Sequence, residues 1–110
     1  MEISTQEYKR VAVVTVSGRV DTNTASDFEA SLRELIEHGR VNLALDLSQV
    51  DFLSSSGLRV MVTSRKAIKD AGGEICLAAP SDRVKETLEL SGLDVLFPSF
   101  ADREAAIASF

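Results

Sequence analysis

Val50-Asp51-Phe52-Leu53-Ser54-Ser55-Ser56-Gly57-Leu58 is the stretch in which the hydrophobic period of the chain changes. Before it, Val41 to Leu47 alternates, with apolar residues at 41, 43, 45 and 47, the period of a strand. After it, Leu58, Met61, Val62 and Ile68 recur at helical spacing, and the pattern runs from about Ser56 to Ala71. Three hydroxyls and a glycine occupy the junction. A serine side chain there can accept from an N–H of the first helical turn. The same N–H groups lack intrahelical partners and lie at the positive end of the helix dipole, so a phosphoryl group on one of these serines would sit in a favourable field.

Upstream of the junction, residues 2–8 alternate weakly and suit an edge strand, Lys9-Arg10 suits a turn, and Val11 to Val16 is a β-branched run expected to form the second strand of a hairpin. Gly18 is expected to break that strand. Asp21-Thr22-Asn23-Thr24 offers caps for a first helix over roughly Thr24 to His38, with Ala25, Phe28, Leu32, Leu35 and Ile36 on its buried face and Gly39 ending it. Ala44 gives the Val41–Leu47 strand a second partly apolar face, as in a central strand covered on both sides. Asp46 is expected near its carboxyl end.

Downstream, Gly72-Gly73 stops the second helix and Ile75 to Ala78 reads as a short buried strand. Pro80-Ser81 opens a third helix anchored by Val84 and Leu88, which Gly92 closes. Val95-Leu96-Phe97 is expected to be a last strand ended by Pro98, and Ser99 or Asp102 to start a C-terminal helix containing Ala105, Ala106 and Ile107. The order is β-β-α-β-α-β-α-β-α. Alternation of strands and helices implies parallel strands, and the opening hairpin adds an antiparallel pair. The expectation is therefore one α/β domain over residues 1–110 with a mixed sheet.

Bulk composition narrows the chemistry. Seventeen acidic and twelve basic residues give a net charge of −5, which argues against direct binding to nucleic acid or to an anionic membrane. Cys76 is the sole cysteine, in the apolar run Glu74-Ile-Cys-Leu-Ala-Ala79, and reads as a small buried hydrophobe. No signal-peptide pattern or apolar run of transmembrane length is present, so a cytoplasmic location is the default, as is a monomer. His38, the single histidine, reads as a surface residue at a helix end. The chain has no Gly-x-Ser-x-Gly, no Gly-x-x-x-x-Gly-Lys and no Cys/His cluster. Catalysis, a metal and a cofactor are therefore not expected.

The ordered set of motifs resembles the STAS domain and, within it, the bacterial anti-sigma factor antagonists. Gly18-Arg-Val-Asp21-Thr-Asn-Thr24-Ala25 is similar to the family segment before the first helix. Asp46-Leu-Ser-Gln-Val-Asp-Phe-Leu-Ser-Ser55-Ser-Gly-Leu58 is similar to its strand and phosphorylation loop, and Gly72-Gly73, Pro80 to Val84 and Ser91-Gly92-Leu93 match later landmarks. The resemblance implies that Ser55 is the phosphoacceptor, with Ser56 the next candidate. Ser54 occupies a position that in the family is often Asp.

The resemblance also implies partner switching. The unmodified protein would bind an anti-sigma factor that is also a GHKL-type serine kinase, phosphorylation would inactivate it, and a PP2C-type phosphatase would restore it. Asp21, Asp46, Ser54, Ser55, Ser56 and Gly57 are the candidate partner-binding residues, with Gly57 also expected to permit close backbone approach. The competing expectation is a STAS module of a signalling scaffold, a nucleotide sensor or a lipid-transport complex, without a phospho-switch.

Overall fold

The computed structural model describes all of residues 1–110. In chain order its elements are β1 (Glu2–Glu7), β2 (Ala12–Val20), α1 (Ala25–Glu37), β3 (Asn42–Leu53), α2 (Ser55–Asp70), β4 (Glu74–Ala78), α3 (Asp82–Ser91), a 3-10 turn (Leu93–Leu96), β5 (Ser99–Phe100) and α4 (Arg103–Ala108). The strands form one sheet in the order β1-β2-β3-β4-β5. β1 runs antiparallel to β2, and the remaining neighbours are parallel. This is the mixed α/β sheet implied by the hairpin and the later alternation.

The period-2 pattern of β2 and β3 sorts side chains onto two faces. Val14, Val16, Leu43, Leu45 and Leu47 pack with Phe28 and Leu32 of α1, Met61 and Ile68 of α2, and Val84 and Leu88 of α3. Phe28 and Leu32 have no exposed surface, and each such side chain contributes about 1.5–3 kcal/mol through removal from water. The opposite face holds Val13, Ala44, Cys76 and Ala78, covered by Ala106 of α4. β3 is thus buried on both sides, as the Ala44 position suggested. Cys76 is a buried free thiol whose pKa burial pushes up, in keeping with its reading as a small hydrophobe.

Three expectations need correction. Gly18 does not break β2: the strand continues to Val20, with an irregular register against β3 at this point. Gly18 adopts φ +89°, a conformation glycine reaches without steric cost, so the strand bends instead of ending. Val95-Leu96-Phe97 is not a strand. Leu93–Leu96 forms a 3-10 turn in which the Phe97 N–H donates to the Asp94 carbonyl, while Leu93 and Leu96, three residues apart, pack on the core and Val95 points to solvent. Pro98 precedes the last strand instead of ending one. Its carbonyl accepts from Leu77 N–H at 2.8 Å, and its missing donor is tolerated at a sheet edge.

The third correction moves a residue. β3 extends six residues past Leu47, to Leu53. Asp46 therefore lies mid-strand, opposite Thr15 and Ala78, and not at a carboxyl end.

Candidate functional site

The carboxyl ends of β2 and β3 are neighbours, with Val20 paired to Leu53. Each strand feeds a helix there, β2 through Asp21–Thr24 into α1 and β3 through Ser54 into α2. In parallel α/β sheets this end gathers helix N-termini and loops, and sites form there.

Ser54 is the hinge of this rim. Its extended backbone (φ −82°, ψ 172°) stands as the N-cap of α2, and its Oγ accepts from Gly57 N–H at 3.2 Å. Its own N–H donates to the Val20 carbonyl at 2.8 Å, and its carbonyl accepts from Leu58 N–H at 2.9 Å. The first of the three serines is thus committed to joining two strands to a helix.

Ser55 is the first residue of α2. It is exposed, and its hydroxyl takes part in no hydrogen bond within the chain. Ser56 is half-buried in a cleft against α1, lined by Ala25, Ser26, Glu29, Ser56, Arg59 and Val60. Gly57 is buried, and a Cβ there would come within 2.7 Å of Leu53 Cδ1 and 2.8 Å of Val20 Cγ1. Its role is close approach, which lets α2 start directly against the ends of both strands. Leu58 packs partly against the core.

Asp21 lies on the same rim, but its carboxylate is occupied. Oδ1 accepts from the N–H groups of Asn23 (2.9 Å) and Thr24 (3.2 Å) and from the Thr24 hydroxyl (3.3 Å). Partial burial acts to raise its pKa, but these bonds, with Arg19 Nε 3.6 Å away, outweigh it and hold the carboxyl below its ordinary value. The Asp21 side chain holds the start of α1.

Asp46 does not share this rim. It lies seven residues before Leu53 on β3, about 23 Å along an extended strand. Its side chain is on the α4 face, where Oδ1 accepts from Ser48 N–H (3.0 Å) and Ser48 Oγ (2.7 Å), and Oδ2 accepts from Arg103 Nε (2.6 Å). Burial acts to raise its pKa; the bonds from Ser48 and the Arg103 guanidinium outweigh burial and keep it ionised below the usual range.

The structure adds rim residues that the sequence reading passed over. Arg19 and Phe52 are register partners on β2 and β3, and the Arg19 guanidinium carbon lies 4.2 Å above the Phe52 ring centroid. Both lie within the segments that carry the family resemblance, but their pairing follows only from the strand register. Arg59 is exposed one helical turn beyond Ser55 and belongs to no ion pair. His38 is exposed at the far end of α1, with Nδ1 2.8 Å from the Glu34 carbonyl oxygen, its plain surface reading.

No three His, Cys, Asp or Glu side chains are grouped so as to hold a metal ion. A cavity of about 450 Å³ is an open polar groove between β1 and α1, away from the serines. No helix is long and apolar enough to cross a membrane.

The STAS domain family model matches residues 2–106, and the chain belongs to that family, in its anti-sigma factor antagonist branch. It is similar to BtrV of Bordetella bronchiseptica, described as an anti-sigma factor antagonist, with 32% identity over 110 residues covering 100% of this chain and 95% of the relative. An anti-sigma F factor antagonist of Paenibacillus polymyxa is 27% identical over 108 residues, covering 97% and 92%. Among solved structures, a Thermotoga maritima protein described as an anti-sigma factor antagonist superposes with a TM-score of 0.91 at 23% identity, covering 97% of this chain and 92% of that one. Members of this branch are regulatory, non-catalytic proteins.

Proposed function

We propose that this anti-sigma factor antagonist switches partners through phosphorylation of Ser55. The observation that carries the reading is the division of labour at the α2 start. Ser54 is spent on capping, Ser56 faces a cleft, and Ser55 is exposed with a free hydroxyl.

Partner switching is the mode of action of the branch. In the unmodified state the rim around Ser55 binds an anti-sigma factor, and the sigma factor is released. The anti-sigma factor is itself a serine kinase of GHKL type. It transfers the γ-phosphoryl of ATP to Ser55 Oγ; the hydroxyl proton is lost and ADP leaves. A PP2C-type phosphatase hydrolyses the ester and restores the hydroxyl.

The physics of the switch is local. Phosphorylation adds about 1.5–2 negative charges at neutral pH. These charges are tolerated at a helix N-terminus, so the fold need not change. Moving a partner from 99% bound to 1% bound takes about 5.5 kcal/mol of differential affinity. A dianion buried against an apolar or acidic partner surface supplies energy of that order, whereas a charge at the edge of an interface does not. Ser55 therefore lies within the contact, not beside it.

The test uses four baits: the unmodified chain, Ser55→Ala, Ser55→Glu and chain phosphorylated on Ser55. Bound proteins are identified by mass spectrometry from a lysate of the source organism. The unmodified and Ala baits retain a GHKL-type protein that the phosphorylated bait loses, and Glu, with less charge, loses it in part. Equal retention by all four baits rejects the phospho-switch and directs attention to the retained partner.

A further inference from the structure

We infer that Arg59 is the clamp that holds the phosphate on Ser55 within the chain and, in the unmodified protein, is the free cation the partner reads. The inference rests on Ser55 being the acceptor and deepens that reading.

Residues four apart on a helix stand over one another, with Cβ atoms about 5–6 Å apart. At ~100° per residue Arg59 falls in azimuth between Ser55 and Ser56, and it lines the same cleft as Ser56. That cleft contains one carboxylate, Glu29, and Arg33 Nη2 is already bonded to it at 2.6 Å. Arg19, Arg33, Arg40 and Arg103 each have a carboxylate within 4 Å; Arg59, like Arg10, Arg65 and Arg83, has none, and of these four only Arg59 stands one helical turn from Ser55. The unmodified site thus keeps an uncommitted guanidinium one turn from an uncommitted hydroxyl.

A guanidinium presents a planar fork of donors that matches phosphate oxygens two at a time. An anion four residues N-terminal to a cation is also the favourable order on a helix. Phosphorylation then changes the partner surface twice: it adds a dianion and removes a free cation. A partner with a carboxylate over Arg59 loses its counter-charge as it meets the phosphate, so the two effects act in the same direction.

The test installs phosphoserine at position 55 during translation, so it reads the clamp whether or not any kinase acts on Ser55. Phosphorus NMR follows the protonation of the phosphate monoester in the intact chain. The comparison covers wild type, Arg59→Gln, Arg59→Lys and Arg83→Gln, the last an exposed arginine on α3. The expected result is a midpoint about 0.2–0.4 pH unit higher in Arg59→Gln than in wild type, and intermediate in Arg59→Lys. Arg83→Gln titrates as wild type, and the Arg59 difference shrinks at ~1 M salt. Thermal melts of the unmodified variants establish that folded chains are compared, and Arg59→Lys, which keeps the stem and charge, carries the comparison if Gln lowers the melting point. Identical midpoints in wild type and the Arg59 variants overturn the clamp, as does an equal shift in Arg83→Gln. Absence of kinase modification at Ser55 would reject the acceptor and leave this titration unchanged.

Discussion

Arg103 Nε lies 2.6 Å from Asp46 Oδ2, joining the first residue of α4 to the middle of β3 across 57 positions of sequence. The same guanidinium donates to Thr15 Oγ1 on β2 and, at 3.1 Å, to Gln6 Oε1 on β1. One side chain therefore ties the short C-terminal helix to three strands. The Asp46 side chain is 7% exposed and that of Arg103 34%, so the pair is largely but not wholly withdrawn from water.

Asp46→Asn is expected to lower stability by about 2 kcal/mol at pH 7, below the ~3–5 kcal/mol typical when one partner of a fully buried pair is removed, because Arg103 keeps some solvent. The effect is pH-dependent in a defined sense. The folded carboxyl lies below its ordinary value, so its contribution is complete above the unfolded value near pH ~4 and fades as pH falls through the lower folded value. Urea denaturation of wild type and variant should show a gap that is constant from pH 7 to about 5 and narrows below about 4. A gap that widens in acid would contradict this account.

Ser54 and Ser55 should separate cleanly by stability. Ser54→Ala removes the acceptor for Gly57 N–H and should cost about 1 kcal/mol. Ser55→Ala removes an exposed hydroxyl with no partner and should stay within about 0.5 kcal/mol. Equilibrium unfolding of the two variants measures both. A large loss at Ser55 would mean that its hydroxyl is structural.

Gly57→Ala places a methyl 2.7 Å from Leu53 Cδ1 and 2.8 Å from Val20 Cγ1. These are side-chain atoms that can shift, so the expected cost is about 1–3 kcal/mol. Gly73→Ala is the harsher change, because its Cβ would lie 1.9 Å from the Val41 carbonyl oxygen, and backbone cannot rotate aside. The melting point of Gly73→Ala should fall further than that of Gly57→Ala.

Cys76 reports on α4. Its Sγ lies 3.9 Å from the Ala106 carbonyl oxygen under that helix. A thiol reagent such as DTNB should label the native chain slowly, and Arg103→Ala should speed labelling by about tenfold for each ~1.4 kcal/mol by which it eases local opening of α4. Equal rates would show that Arg103 does not hold the helix down.

Much of the architecture was legible because its signals are local. The β-branched run at Val11–Val16, the alternation at Val41–Leu47, the helical spacing of Phe28 and Leu32, and the stops at Gly39 and Gly92 depend on neighbours a few residues apart. The structure places a strand, strand, helix or helix end at each. The signals that misled were also local. Val95-Leu96-Phe97 has strand composition, but Leu93 and Leu96, three residues apart, pack on the core in a 3-10 turn over Leu93–Leu96 that Phe97 leaves in extended backbone. Gly18 looks like a terminator, yet pairing with β3 carries the strand through it.

What the sequence determined by itself was the order of elements, the change of period at Ser54-Ser55-Ser56 and the family resemblance, since each is a property of contiguous residues. Only the tertiary structure decided which residues meet. Asp46 faces Arg103 because β3 runs on to Leu53 and α4 folds back over the sheet, and Arg19 stacks on Phe52 because parallel register aligns two strands 33 residues apart. Side chains that are distant in sequence become neighbours through strand pairing and helix packing, and no local pattern encodes those distances.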